Sequence, residues 1–215
     1  MKKESLKLQA YNIIKEKIVR CEYAPGMILS EERLQEDVHA SRTPIRDALS
    51  RLEQDGLIQI MPKKGIMVSV LSIGEINKIF EVRLLVEPYV LRNYGYLLND
   101  EVLMDYYEQF EQMLKEGDHG DFYEIDDEFH KAIMAVLPNQ YLLATYERIH
   151  NQNLRFRVMT GRDSSTRLKA THNEHLAIVR ACLKKEWEEA AVAMEHHLIL
   201  SKNATFDLLL RSGSN

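Results

Sequence analysis

The sequence predicts a mainly α fold, in which three helices and a β-hairpin are followed by an all-α antiparallel helical bundle. Apolar residues recur at helical spacing along most of the 215-residue chain, and they alternate as in a strand only between residues 57 and 70. Breaks rich in Gly, Pro, Asn or Asp separate the helical segments, as expected of antiparallel helices joined by short loops. We therefore expect one domain over residues 1–71 and a second over residues 72–215.

The first two helices are predicted to lie close together in the chain. Apolar residues recur every three or four positions from residue 6 to residue 20, and the turn at residues 23–26 ends this segment. Ser30 is placed to begin a short second helix over residues 31–38. Only a few residues separate that helix from Ser41, which is the spacing of a helix-turn-helix.

The third helix is predicted to begin at Ser41, whose side chain can cap it, and to end at Gly56, where a positive φ is tolerated. Arg42, Thr43 and Arg46 lie in its first turns, away from its apolar stripe. A helix with one buried side and arginines at its start is suited to a DNA major groove. The predicted buried stripe consists of Ile45, Ala48, Leu49 and Leu52.

A β-hairpin is predicted after the third helix. Residues 57–60 form one strand, and the alternation of Ile66, Val68 and Val70 indicates a returning strand. The turn between them contains Lys63, Lys64 and Gly65. Together with the three helices this hairpin makes a winged helix-turn-helix, whose basic tip can reach a phosphate backbone or a minor groove.

Charge is unevenly distributed along the chain. The net charge is −5, but residues 1–72 hold 12 Lys and Arg against 10 Asp and Glu, whereas residues 73–215 hold 16 against 23. Even the first part is only slightly basic, so DNA binding has to depend on where its arginines point. We expect the affinity to fall steeply with salt.

Composition also indicates a cytoplasmic protein. The two cysteines, Cys21 and Cys182, are far apart and lack the spacing of a metal site or a disulfide framework. The residues after Met1 contain no apolar signal core, and no apolar run is long enough to cross a bilayer.

The second part of the chain is predicted to contain only helices. Breaks near Asn99, Gly117, Pro138 and Gly161 separate them, and Pro88 is expected to kink the first of them rather than end it. The predicted helices cover residues 75–98, 100–116, 120–137, 139–159, 164–184 and 186–210.

Three of these helices direct potential metal ligands towards the interior of the bundle. Asp126 and His130 are four residues apart and share a helix face. His175 and His197 lie on the apolar stripes of two later helices. One carboxylate and three imidazoles suit Zn²⁺, and also Ni²⁺ or Mn²⁺. Spacing alone leaves His172 and His196 as alternatives, whereas His39, His119 and His150 are interpreted as ordinary residues.

Six short motifs between residues 8 and 70 match one family of proteins: Tyr23-Ala24-Pro25-Gly26, Leu29-Ser30-Glu31, Ser41-Arg42-Thr43-Pro44-Ile45-Arg46-Asp47-Ala48-Leu49, Leu52-Glu53, Gly56-Leu57 and Pro62-Lys63-Lys64-Gly65. On these residues the segment resembles the DNA-binding domain of GntR-type bacterial transcription regulators. In that family an arginine often stands at the position of Glu32 and a glutamate at that of Arg33, so a phosphate contact has either moved to Arg33 or been lost. The resemblance implies DNA contacts by Arg33, Ser41, Arg42, Thr43, Arg46, Lys63, Lys64 and Gly65.

Four pieces of residues 74–211 match one family of domains: Phe80-Glu81-Val82-Arg83 with Glu87-Pro88, Asp126 with Phe129-His130, Glu174-His175 followed by Ile178, and Ala193-Met194-Glu195-His196-His197-Leu198. On these residues the segment resembles the helical FCD effector-binding domain of the FadR subfamily. The resemblance implies a divalent metal on Asp126, His130, His175 and His197, for which zinc is the first choice. It also implies a small organic acid as effector, whereas some relatives without the metal histidines use acyl-CoA. Arg83 either clamps the carboxylate of the effector or pairs with Glu87.

Both resemblances imply a homodimeric transcription regulator that binds a palindromic operator and responds to a metabolite, with repression the commoner family behaviour. Three alternatives stay open at this point. The metal itself could be the signal, the bundle could be a metal-dependent hydrolase with an accessory winged helix, or it could be a dimerisation bundle whose histidines bind nothing. We expect a regulator rather than an enzyme.

Overall fold

A computed structural model describes residues 5–70, 72–116, 122–160 and 165–212. The chain divides into two compact units, Met1–Glu75 with Arg148–Gly161, and Ile76–Glu147 with Arg162–Asn215. The predicted mainly α class is confirmed. The predicted domain boundary at residues 71 and 72 stays a prediction, and residues 148–161, which the sequence assigned to the bundle, cluster with the first unit.

The first unit is a winged helix-turn-helix. Its helices are α1 (Leu6–Val19), α2 (Glu31–Val38) and α3 (Arg42–Gln54), and its strands are β1 (Ile28–Leu29), β2 (Ile58–Met61) and β3 (Gly65–Val68). The strands form an antiparallel sheet in the order β1-β3-β2. Strand β1 was not predicted, because two residues are too few to show an alternation.

Local backbone geometry explains how α2 and α3 end. His39 ends α2 in the left-handed conformation, at φ 54°, and Gly56 follows α3 at φ +72°.

Gly65 begins β3 at φ +108°, and a Cβ there would lie 2.8 Å from the carbonyl oxygen of Leu29. The tip of the wing therefore requires glycine at this position.

The predicted capping role of Ser41 is wrong. Ser41 has the extended backbone of an N-cap residue, but its side chain accepts no capping hydrogen bond. An N-cap side chain binds the N–H of the second or third helical residue, and the third residue of α3 is Pro44, which has none. Ser30, by contrast, caps α2 by accepting from the N–H of Arg33 at 3.2 Å.

The core of the first unit contains the predicted stripe of α3, and the C-terminal half of a later helix packs on the same unit. Gln152 Nε2 donates to the carbonyl oxygen of Gly56 at 2.9 Å, and Arg155 Nη2 donates to that of Ser69 at 2.6 Å. The buried core side chains come from all three helices, all three strands and the connections at Tyr23 and Leu57: Ala10, Tyr11, Ile14, Ile18, Tyr23, Leu29, Leu34, Val38, Ile45, Ala48, Leu49, Leu52, Leu57, Ile58, Ile66 and Val68.

The remaining elements are helical, as predicted. They are α4 (Ile73–Tyr94), a short 3₁₀ turn (Gly95–Leu97), α5 (Asp100–Glu116), α6 (Phe122–Ala135), α7 (Gln140–Thr160), α8 (Ser165–Leu183) and α9 (Trp187–Ser212). Helix α4 continues through Pro88. The predicted breaks at Gly117 and Gly161 lie outside the described residues, as does His119. Among the described helices, none combines the length and apolarity needed to cross a membrane.

Candidate functional site

The structure brings the four predicted metal ligands together inside the second unit. Asp126 and His130 lie on α6, His175 on α8 and His197 on α9, and all four side chains are buried. One ligand atom from each residue lies within 4.8 Å of the others. His175 Nε2 is 3.2 Å from Asp126 Oδ1, and His130 Nε2 is 3.9 Å from the same oxygen.

Two of these imidazoles present unpartnered nitrogens. The Nε2 atoms of His130 and His197 are buried, and neither has a hydrogen-bond partner among the described residues. On the opposite edges, His130 Nδ1 lies 2.6 Å from Glu87 Oε2 and His197 Nδ1 lies 2.9 Å from Glu174 Oε2. A carboxylate at Nδ1 favours the tautomer with its proton there, which leaves the Nε2 lone pair for a metal. The donor set therefore fits a divalent ion that accepts nitrogen and oxygen ligands.

Glu87 is the centre of a buried hydrogen-bond network beside these ligands. Its Oε1 accepts from Arg83 Nε at 2.6 Å and from Tyr146 Oη at 2.9 Å, while its Oε2 faces His130. Burial alone would raise the pKa of Glu87, but Arg83 and His130 outweigh it and hold that pKa well below its usual range. Glu87 is thus a buried carboxylate with its charge compensated.

Two roles were considered for Arg83, a clamp for the effector carboxylate and an ion pair with Glu87. The structure shows the ion pair. Its Nη1, however, is buried and has no hydrogen-bond partner among the described residues. Burial opposes its charge, yet Glu87, with smaller contributions that include Asp126, keeps the pKa of Arg83 above its usual value. Arg83 therefore keeps one charged donor for a further ligand.

A second carboxylate supports the other side of the cluster. Glu174 faces His197, and Arg167 donates to Glu174 through both Nη1 and Nη2. Arg167 Nη2 also donates to Ser201 Oγ at 3.2 Å. The side chain of Glu174 is thereby fixed between a metal-ligand candidate and an arginine, in the same way as that of Glu87.

Burial favours the neutral, metal-binding form of two histidines of the cluster, His175 and His197. Burial lowers the pKa of His175 even though Asp126 acts to raise it. The pKa of His197 lies well below its usual value, first because of burial and then because of His175 and His130. Neutral imidazoles are the species that bind metals near neutral pH.

Geometry separates these ligands from the rival histidines. His196 is exposed, and His172 is buried with its ring 6.4 Å from that of Phe110 but does not belong to the cluster. His39 is the C-cap residue that follows α2, and His150 is buried on α7.

Sequence reasoning missed the partners of the ligands. It considered Glu87 only as a partner for Arg83 and gave Tyr146 and Glu174 no role. The i,i+4 spacing signals the pair of Arg83 and Glu87. No local pattern signals Tyr146, because it reaches the network from another helix.

The predicted DNA-contacting residues are accessible in the first unit. Those of α3 and of the wing tip are exposed except Gly65, which is half-buried. Arg46 Nε donates to Glu31 Oε1 at 3.0 Å and to Oε2 at 3.2 Å, a pairing that the sequence did not predict. Arg33 Nε lies 3.6 Å from Asp37 Oδ2, and its guanidinium stands over the ring of Tyr23. The exposed set comprises Arg33, Ser41, Arg42, Thr43, Arg46, Lys63 and Lys64.

Comparison with known proteins identifies two families along the chain. Residues 6–68 match the bacterial regulatory proteins of the gntR family, and residues 78–200 match the FCD domain. The HTH-type transcriptional repressor RspR of Escherichia coli is 28% identical over 193 residues, which cover 88% of this chain and 84% of RspR. The gluconate operon transcriptional repressor of Bacillus licheniformis is 28% identical over 193 residues, covering 87% of this chain and 72% of that repressor.

Solved structures support the fold. E. coli McbR/YncC superposes with a TM-score of 0.80 at 19% identity, covering 95% of this chain and 99% of that one. A metal-free FCD domain of TM0439 superposes with a TM-score of 0.58 at 19% identity, covering 66% of this chain and 99% of that one.

RspR and the gluconate operon protein are transcriptional repressors. The gntR match precedes the FCD match along the chain, in the order of the two predicted domains. The chain therefore belongs to the FCD domain family, carries a gntR-type DNA-binding domain before its FCD domain, and is a transcriptional regulator.

Proposed function

We propose that this regulator is a metabolite-responsive repressor of the FadR subfamily, whose FCD domain binds a divalent metal and a small organic acid. The observation that carries the proposal is the pair of buried, unpartnered Nε2 atoms on His130 and His197 beside the carboxylate of Asp126. Buried polar atoms without partners are costly, so a ligand that satisfies them is expected.

Asp126, His130, His175 and His197 would hold the metal, for which zinc is the first choice and nickel or manganese the next. A bound divalent ion supplies a Lewis-acid position for a carboxylate. The chain itself contributes the orientation of the ligands, because Glu87 and Glu174 hold the Nδ1 edges of two imidazoles.

The effector class follows from Arg83. Its unpartnered Nη1 is a buried, permanently charged donor. A carboxylate is the group that both a guanidinium and a divalent metal bind well. A small organic acid with at least one carboxylate therefore fits this site better than a neutral ligand.

DNA is read by the first unit. Arg42, Thr43 and Arg46 would contact base edges and phosphates from the start of α3. The DNA backbone would be contacted from the wing and the helix ends by Arg33, Ser41, Lys63, Lys64 and Gly65. One such unit reads a short half-site, so we propose a cytoplasmic homodimer on a palindromic operator.

Exposed apolar side chains on α4 and α9 support the homodimer. Leu85 and Val192 are 69% and 52% exposed, and Tyr89 is exposed as well. Arg92 lies one turn after Tyr89 and donates to Glu188, one turn before Val192. Arg92 is also paired with Glu195, one turn after Val192, at 2.9 Å. The apolar side chains therefore share one surface with charged groups that are paired with one another, which is the composition of a protein interface.

Titration of the full-length protein tests the metal site. Protein treated with a chelator and dialysed is titrated with Zn²⁺ in a calorimeter. We expect one site per chain, a loss of affinity of 10-fold or more in His197→Ala, and unchanged binding in His196→Ala, which removes the exposed neighbouring imidazole. Equal binding by the wild type and His197→Ala would contradict the proposal.

A further inference from the structure

Arg46 is held from one side only. It lies in the second turn of α3, and its Nε donates to both carboxylate oxygens of Glu31, the first residue of α2. Its Nη1 and Nη2 make no hydrogen bond within the described part of the chain. The side chain of Arg46 is 66% exposed, whereas that of Glu31 is 30% exposed. The two free donors therefore face solvent on a side chain whose orientation is already restricted.

The ion pair of Arg46 and Glu31 is exposed, and an exposed ion pair contributes little to the stability of the fold. The packing of α2 against α3 is provided by Leu34, Val38, Ile45 and Leu49, which are buried in the core of the first unit. A carboxylate at this place also repels DNA phosphates, which lowers the affinity for any sequence.

We propose that Glu31 is a positioning residue that gives Arg46 its base specificity. By holding Nε, Glu31 fixes the plane of the guanidinium and leaves the two Nη groups as a fork for the O6 and N7 atoms of guanine. A preorganised arginine loses less side-chain entropy when it binds and tolerates fewer alternative contacts. The inference rests on the proposed role of Arg46 in reading a base.

Glu32, the next residue of α2, provides a matched control. It is exposed and carries the same charge on the same helical turn, but it bonds to Ser30 and influences Arg42 only through its charge. Removing Glu32 thus changes the local charge as removing Glu31 does, without releasing Arg46.

The test is selection of binding sites from a library of random-sequence DNA duplexes. Full-length wild type, Glu31→Ala, Arg46→Ala, the double variant and Glu32→Ala are each used, and the affinity for unselected duplex is measured alongside. We expect wild type to select a guanine in each half-site and Arg46→Ala to lose it. We expect Glu31→Ala to reduce that preference about tenfold while binding unselected duplex as well or better. The double variant should lose no more than Arg46→Ala, and Glu32→Ala should keep the guanine.

Several outcomes would overturn the inference. If Glu31→Ala keeps the guanine that Arg46→Ala loses, Glu31 does not position Arg46. If Glu32→Ala loses it equally, the effect is one of charge alone. If Arg46→Ala keeps every base preference, Arg46 is not a reader. Failure of the wild type to select any sequence would instead contradict the proposed function itself.

Discussion

Replacement of Glu87 by alanine is expected to destabilise the FCD domain by about 3–5 kcal/mol, the range for removing one partner of a buried ion pair. The substitution leaves the charge of Arg83 buried without its carboxylate and removes the acceptor for Tyr146 and the partner of His130. Urea unfolding followed by the fluorescence of Trp187, the only tryptophan of the chain, measures the change.

Two further variants serve as controls for Glu87→Ala. Glu87→Gln keeps an acceptor of nearly the same shape and should lose less stability than Glu87→Ala. Glu188→Ala removes an exposed carboxylate that is paired with Arg92 and should change the unfolding midpoint little. A Glu87→Ala protein with the midpoint of the wild type would show that the network around Glu87 does not form.

The second large effect is expected at Arg46. Its replacement by alanine should weaken operator binding by about 2–6 kcal/mol, because each of the two half-sites of a dimer loses a bidentate base contact worth about 1–3 kcal/mol. Fluorescence anisotropy on the duplex that the wild type selects measures the loss. The metal content of the variant should be unchanged, because the metal ligands belong to the other unit.

Arg51→Ala is the control for this prediction. Arg51 belongs to the same helix, but its guanidinium stands over the ring of Tyr11, 4.0 Å from the centroid. It lies more than one turn beyond Arg46, the last residue of α3 predicted to contact DNA, so operator affinity should fall far less than in Arg46→Ala. A loss of both operator binding and metal in Arg46→Ala would indicate misfolding, and an unchanged affinity would exclude Arg46 from the interface.

The helices of this protein could be predicted from its sequence because their periodicity is local. The predicted and observed bounds of α2 agree, and those of α5 agree at Asp100 and Glu116. The same periodicity placed Asp126 and His130 on one helix face, and the apolar stripes placed His175 and His197 on inner faces. In the structure these faces bring the four ligands into one cluster.

What the sequence could not supply is the identity of partners on other elements. Tyr146 reaches Glu87 across 59 residues of chain and Arg46 reaches Glu31 across 15, and periodicity says nothing about which faces come together. The wrong prediction for Ser41 has a local cause, because the proline at the third helical position removes the donor that its hydroxyl would have bound.

Native mass spectrometry of the untagged protein, with and without a chelator, tests the proposal that the FCD domain of this regulator holds a divalent metal. We expect a dimer that carries one metal ion per chain, loses it to the chelator and lacks it in His175→Ala, together with any small acid that co-purifies. A metal-free dimer without a bound acid, whose mass is unaffected by the chelator, would contradict that proposal. Asp126, His130, His175 and His197 would then be packing residues, and the effector would be one that needs no metal.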